Sequence, residues 1–533
     1  MSLLTASPPT DAIPAPRAAR SPRSSSALVT RWLIALVVIG VGWRTFRYLL
    51  QLPIWGDEAF VALNLLDRGY LDLLKPLRFA QVAPVLFMWS ELTLFRTLGG
   101  SELALRLLPL VAGLASLAVF WKFLKVVGVG RLPAVLALGI LSVSYYPVRH
   151  SCEIKPYSLD LLMSLWLLLG AASWLAESDR LRRLLALAIL VPPVLALSYP
   201  AVFVAGAVSI ALLPTVLRRP RWQARAVYLL YNVAMGGTFL IIYGVVGRGQ
   251  FTSTGGPANP FWEMWFPPSQ PWPPKGYANM FPVWTAISHF ASGHDGGSTL
   301  TLLLCLIGAS SLAQSRRWSS LLLCGAPFVL TFMAAAMNRY PYGGSARVAQ
   351  HLAPIICLLA GCGAAAIIAW LPRLKIAPRT GAVALLAGLA VIGLVGITRD
   401  VIKPYKTDGD RQVRQIIRDI AADSASGDPI IVADPHHSIG PTSEWYLRQL
   451  AGRVHWNGRI DHDMTSASRR QLRLLRFGEG GSSDEYLEQM QRQAPSWILL
   501  DRTAYTLQLG WSDASIEHCE VLHWARADHP AGR

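Results

Sequence analysis

The sequence predicts a polytopic α-helical membrane protein of about eleven transmembrane helices, followed by a small extracytoplasmic α/β domain. Three observations predict it. Of the 533 residues only 15% are charged while 53% are hydrophobic, against about 25% charged in an ordinary soluble domain. The charges fall in short clusters, and the apolar runs between them reach about 18 residues, enough to cross the hydrocarbon core as a helix. Beyond residue 399 the composition turns polar.

Residues 1–26 are rich in Ser, Pro, Ala and Arg and nearly lack large apolar side chains. Such a segment buries too little surface to offset its ordering entropy, and it reads as a disordered cytoplasmic tail. It does not read as a secretory signal, because the next apolar segment is long and no small-residue cleavage site follows it. Within a transmembrane domain over 27–399, helices are expected near 29–50, 102–124, 132–148, 157–176, 182–199, 201–217, 226–246, 298–314, 318–337, 348–371 and 381–398. The stretch 182–217 is too long for one helix and contains Pro192, Pro193 and Pro200, so it divides at Ser198–Pro200.

The formal net charge is +17. Nucleic acid is not the expected partner, because the Lys and Arg residues lie between apolar runs, where they act as topology signals. With the N-terminus in the cytoplasm, every second loop is short and basic: Lys122, Lys125 and Arg131; Arg180, Arg182 and Arg183; Arg218, Arg219, Arg221 and Arg225; Arg316 and Arg317; Arg373, Lys375 and Arg379. The expected location is the inner (plasma) membrane, with lipid all round the helices. Two long outer loops remain, 51–101 and 247–297. The second carries FWEMWFPPSQPWPPKGY, whose Trp residues suit a membrane interface or stacking on a sugar or isoprenoid.

With eleven spans, residues 400–533 lie outside the cytoplasm. PIIVA (429–433) and SWILLD (496–501) read as buried strands, and amphipathic stretches near 410–422, 441–451 and 484–493 read as helices. Of the six cysteines, four lie in apolar runs and none has C-x-x-C spacing, so neither a disulfide framework nor a zinc site is expected.

The first outer loop opens with Trp55-Gly56-Asp57-Glu58. Adjacent carboxylates there fit a helix N-terminus, where acids complement the dipole. They equally fit a general base placed where a membrane-bound substrate meets an extracytoplasmic one.

WGDEAF after a first transmembrane helix resembles the Asp-Glu motif of the GT-C glycosyltransferases, closest to the protein O-mannosyltransferase and lipid A aminoarabinose transferase superfamily. AQVAPVLFMW (80–89) with SELALRLLPLVAGLASLAVFW (101–121), SCEIKPYSLDLL (151–162) and RYPYGGSARVAQHLAP (339–354) resemble further segments of that family. The resemblance implies a hexosyl- or pentosyltransferase. It would move a sugar from a polyprenyl-phosphate-linked donor to an extracytoplasmic lipid, glycan or protein acceptor, with inversion. It implies Asp57 as the base and Glu58 as a supporting group. The leaving phosphate needs cations, for which Lys155 and Arg347 are the first choices and Arg149 and Arg339 the next. A snorkelling interfacial charge is the commoner explanation for any one of them. Glu153, Tyr157 and Tyr342 would line the same cavity, and Gly343 and Gly344 permit a tight turn. Relatives place His or Glu, a potential metal ligand, where this chain reads Gln81-Val82-Ala83-Pro84. No cofactor is therefore expected, a divalent metal stays an open alternative, and Gln81 is assigned to hydrogen-bonding substrate. His289, His294 and Asp295, and Asp434 with His436 and His437, read as polar loop residues before metal ligands.

The competing class is a transporter or flippase of lipid-linked glycans, which places ionisable groups and broken helices near the midplane, often in two related halves. Helix interiors nearly free of charge, and no internal repeat, favour surface chemistry. A structural scaffold for envelope assembly is a third class, with no feature in its favour.

Overall fold

The computed structural model describes residues 23–218, 221–254, 298–342, 346–404, 408–423, 430–433, 440–450, 454–456, 471–478, 487–488, 491–492, 495–508 and 516–527. The Trp/Pro-rich run, His289, His294, Asp295, Gly343, Gly344, Asp434, His436, His437 and most of 1–26 and 484–493 lie outside these residues.

Helix occupies every stretch read as a span. α1 is Arg23–Leu49, beginning inside the expected tail. The first long loop, 51–101, folds into α2 (Gly56–Leu66) and α3 (Val85–Leu98), joined by short 3-10 turns. α4 (Glu102–Val127) starts at an N-cap, with Ser101 Oγ accepting Ala104 N–H at 3.2 Å, and stops at Gly128, whose φ of 69° suits glycine. Then follow α5 (Arg131–Val143), α6 (Tyr145–His150), α7 (Tyr157–Ala176), α8 (Leu181–Leu197), α9 (Ala201–Arg218), α10 (Trp222–Ile242) and α11 (Arg248–Ser253). The last two join through a π-turn into one rod that runs past the expected end at 246. α12 (Ser298–Gln314), α13 (Trp318–Ala336), α14 (Ala353–Trp370) and α15 (Pro378–Ile402) complete the bundle. Among the described residues, eight helical segments are long and apolar enough to cross a membrane, while Arg131–Val143 and Leu300–Gln314 are apolar but shorter.

The expected helix 132–148 is two. Pro147 has no N–H for the Val143 carbonyl, so the chain breaks at Ser144, which is extended (ψ 123°). The turn that follows α6 reaches α2, where Ile154 N–H and Lys155 Nζ meet Glu58 and Asp57. Close packing elsewhere uses glycine: a Cβ on Gly308 of α12 would lie 2.0 Å from the Leu359 carbonyl of α14.

The spans are also less free of charge than their sequence suggests. The buried Arg44 guanidinium donates to the carbonyls of Gly40 and Ser142, both at 2.9 Å. Asp400 of α15 pairs with Arg47 and accepts Trp43 Nε1–H at 2.7 Å, pinning α15 to α1. These groups have internal partners, as buried charge in lipid requires.

The C-terminal part contains α16 (Asp408–Asp423), α17 (Pro441–Arg448) and a five-stranded sheet ordered β2-β1-β3-β5-β4. Its strands are β1 (Ile430–Ala433), β2 (Val454–Trp456), β3 (Gln471–Gly478), β4 (Trp497–Gln508) and β5 (Ile516–Arg526). β1 pairs parallel with β2 and β3, and β5 pairs antiparallel with β3 and β4. The segments PIIVA and SWILLD fall on β1 and β4. This domain sits on the loop 51–101: the Trp445 ring of α17 lies 6.3 Å from the Phe95 ring of α3.

Candidate active site

Asp57 and Glu58 occupy the first turn of α2, where two acids complement the dipole. The two carboxylates then part company. Glu58 is 1% exposed and Asp57 19%, so only Asp57 can meet a substrate. Glu58 accepts a fork from Arg106 of α4, Nε to Oε1 at 2.8 Å and NH2 to Oε2 at 2.6 Å, and also takes Ile154 N–H at 2.9 Å. Arg106 further donates to the carbonyls of Leu52 and Pro53 at 2.5 and 3.1 Å. This pair ties the entry of α2 to α4 and to the turn after α6.

The Asp57 carboxylate faces two cations. Lys155 Nζ lies 3.0 Å from Oδ1 and Arg347 NH1 lies 3.2 Å from Oδ2. Lys155 comes from the bend between α6 and α7, and Arg347 from the 3-10 turn Ala346–Leu352 before α14. Burial opposes ionisation of Asp57, but Lys155 and then Arg347 outweigh it and hold the carboxyl below its usual range. Burial lowers the Lys155 ammonium, against the pull of Asp57. Lys155 also donates to Gln81 Oε1 at 2.7 Å. Gln81 follows Phe79 and Ala80, both in the left-handed region at φ 61° and 51°. Such non-glycine conformers cost about 1–3 kcal/mol each and persist where the surroundings over-determine them. Here Asn64 Oδ1 accepts Arg78 N–H at 2.9 Å, and the buried Gln250 amide clamps both backbone polar groups of Ala83 at 3.2 Å.

Four expected residues thus meet directly: Asp57, Gln81, Lys155 and Arg347. Three form a layer beside them. Glu153 accepts Arg149 Nε–H at 2.5 Å and contacts His150 Nδ1 at 2.8 Å. Those contacts, Arg149 foremost, hold its carboxyl low against burial. The Arg149 guanidinium lies 5.4 Å over the Trp55 ring, and the Tyr157 ring sits edge-on to His150 at 4.7 Å. Arg339 and Tyr342 engage other groups, Arg339 over Phe251 at 6.0 Å and Tyr342 against Phe332 at 5.4 Å. Among the described residues no three His, Cys, Asp or Glu side chains converge as a metal site requires.

Sequence reading passed over Arg106, Gln250 and Glu91. A lone Arg within the apolar SELALRLLPL run was the available signal for the first. Glu91 of α3 is fully buried with neither oxygen hydrogen-bonded among the described residues. Burial, with the nearby Glu58 charge, raises it well above the usual carboxylate range.

No family model matches the sequence, and no curated protein does. Among solved structures, the chain is similar to ArnT from Cupriavidus metallidurans bound to undecaprenyl phosphate, with a TM-score of 0.52 at 12% identity over 94% of this chain and 98% of that one. The apo state of the same ArnT gives a TM-score of 0.50 with the same identity and coverage. An oligosaccharyltransferase from Archaeoglobus fulgidus, in complex with Zn and sulfate, gives 0.44 at 9% identity over 79% of this chain and 62% of that one. The fold is GT-C-like, in agreement with the family resemblance of the motifs.

Proposed function

We propose that this chain, which shares its fold with ArnT, is an integral membrane glycosyltransferase using a polyprenyl-phosphate-linked sugar. The observation that carries the reading is the Asp57 carboxylate held between Lys155 and Arg347. A carboxylate with two cations beside it supplies both halves of a glycosyl transfer: a base for the acceptor and a counter-charge for the phosphate that leaves. The ArnT structure bound to undecaprenyl phosphate supports the class of lipid.

In this reading the donor phosphate competes with Asp57 for Lys155 and Arg347. As the cations turn to the phosphate, Asp57 loses the two contacts that depress its basicity and gains an anionic neighbour, so its proton affinity rises where a base is needed. The acceptor's nucleophilic atom gives its proton to Asp57 and attacks the anomeric carbon in line. The bond from that carbon to the phosphate oxygen breaks with inversion, and the polyprenyl phosphate departs carrying the electron pair. Glu58, locked to Arg106, holds α2 in place. The reaction takes place at the extracytoplasmic face of the inner membrane, onto a lipid, glycan or protein.

The test is direct. Purified full-length protein in nanodiscs should bind undecaprenyl phosphate, and a strain lacking the chain should lose one glycosyl modification from its envelope. No binding together with an unchanged envelope glycan profile would sink the proposal.

A further inference from the structure

The C-terminal domain meets the first outer loop at its start, middle and end. The Tyr446 hydroxyl of α17 accepts Ile54 N–H at 2.9 Å and donates to Glu102 Oε1 at 2.9 Å. Arg414 of α16 donates to that same Glu102 oxygen at 3.1 Å and to the Gln51 carbonyl at 2.6 Å. One hydroxyl and one guanidinium therefore fasten residues 51 and 54, just before α2, to the first residue of α4. In the middle, Arg78 NH2 reaches Glu444 Oε1 at 3.3 Å, three residues before Gln81. That pair is partly exposed and contributes little by itself. The Tyr446 contacts are buried, and Ile54 is fully so.

The arrangement matters because Asp57 and its cations stand on different parts of the chain. Lys155 and Arg347 belong to turns of the bundle, whereas Asp57 belongs to α2. The entry of α2 is set by Arg106 on one side and Tyr446 on the other. A buried N–H deprived of its acceptor costs the full desolvation of the group, so the chain would shift to find another. We propose that Tyr446 is a positioning residue for Asp57: its hydroxyl, supplied by the C-terminal domain, holds the start of α2 so that the carboxylate stays between Lys155 and Arg347. The phosphate part of this inference rests on the proposed function; the positioning part does not.

Tyr446→Phe keeps the ring and removes only the hydroxyl, and it is made in the full chain. Hydrogen exchange should quicken in peptides covering 52–58 and stay unchanged in those covering 497–508, with the melting temperature close to wild type. A loosened Asp57 competes less for its cations, so undecaprenyl phosphate should bind more tightly, by about five-fold or less, the scale of one buried hydrogen bond. The same change in the Asp57→Asn background should add nothing, because the effect passes through that carboxylate. Arg492→Ala, in an exposed pair with Glu488 of the same domain, serves as the silent control. Unchanged exchange at 52–58 overturns the inference. So does weaker binding with a lowered melting temperature, or an additive effect with Asp57→Asn. If wild-type protein binds no undecaprenyl phosphate, the functional reading is what fails, and exchange at 52–58 alone decides the role of Tyr446.

Discussion

Lys155 Nζ stands 3.0 Å from Asp57 Oδ1 although Asp57 belongs to α2 and Lys155 to the bend after α6, on opposite sides of α4 in the sequence. With Arg347 on the other oxygen, the carboxylate is an anion before any substrate arrives. Its folded pKa lies below the ordinary 3.8, so the stability it contributes is present above that value and is lost only as pH falls through the lower one.

Asp57→Asn should abolish transfer, by about 100-fold or more for a lost general base, while expression and insertion stay normal. Removing the competing charge should leave undecaprenyl phosphate binding equal or tighter. Near wild-type turnover with a lipid-linked donor would exclude Asp57 as the base.

Lys155→Ala and Arg347→Ala should each weaken undecaprenyl phosphate binding or slow turnover, since a well-placed donor at developing charge contributes about 3–4 kcal/mol. Arg347→Lys should recover part of the loss, because a point charge does not reproduce the guanidinium fork. Full recovery, or a defect confined to insertion, would mark these residues as interfacial anchors.

Arg106→Ala should destabilise the fold by about 3–5 kcal/mol, the usual result of orphaning one member of a buried ion pair. Glu58 would be left with Ile154 N–H alone among its described partners. Detergent melting curves should show a larger loss than that of Asp57→Asn, whose side chain is partly exposed and whose amide oxygen still accepts from Lys155.

Glu91 gives a pH signature of opposite sign to Asp57. Its folded pKa is raised well above 4.5 by burial and then by Glu58, so the folded form holds a proton that the unfolded form releases. Stability should fall as pH rises above 4.5 toward the folded value, by at most about 1.4 kcal/mol per unit. Glu91→Gln should therefore match wild type at about pH 4 and exceed it at about pH 8 in thermal unfolding. Parallel curves for the two proteins would rule this out.

A reporter placed after Pro404 tests sidedness. Alkaline phosphatase should be active there and green fluorescent protein dark, because the C-terminal domain packs on the loop that carries Asp57. The opposite result would put the site on the cytoplasmic face.

The sequence by itself determined the helices, the division at Ser198–Pro200 and the switch to an α/β tail, whereas the expectation that Gln81, Lys155 and Arg347 accompany Asp57 came from the family resemblance of their motifs. Apolar length, proline position and basic clustering are properties of a one-dimensional chain facing lipid and water, so they can be read without coordinates. The break at Ser144 was also written there, in Pro147. Tertiary structure alone decided which member of the Asp57-Glu58 pair stays open. Neighbours on a helix point about 100° apart, and α2 buries nearly every residue of its length, so no polar face sets its rotation. That rotation comes from Arg106 gripping Glu58 on one side. On the other, Tyr446 holds Ile54 from a domain whose docking no local pattern records.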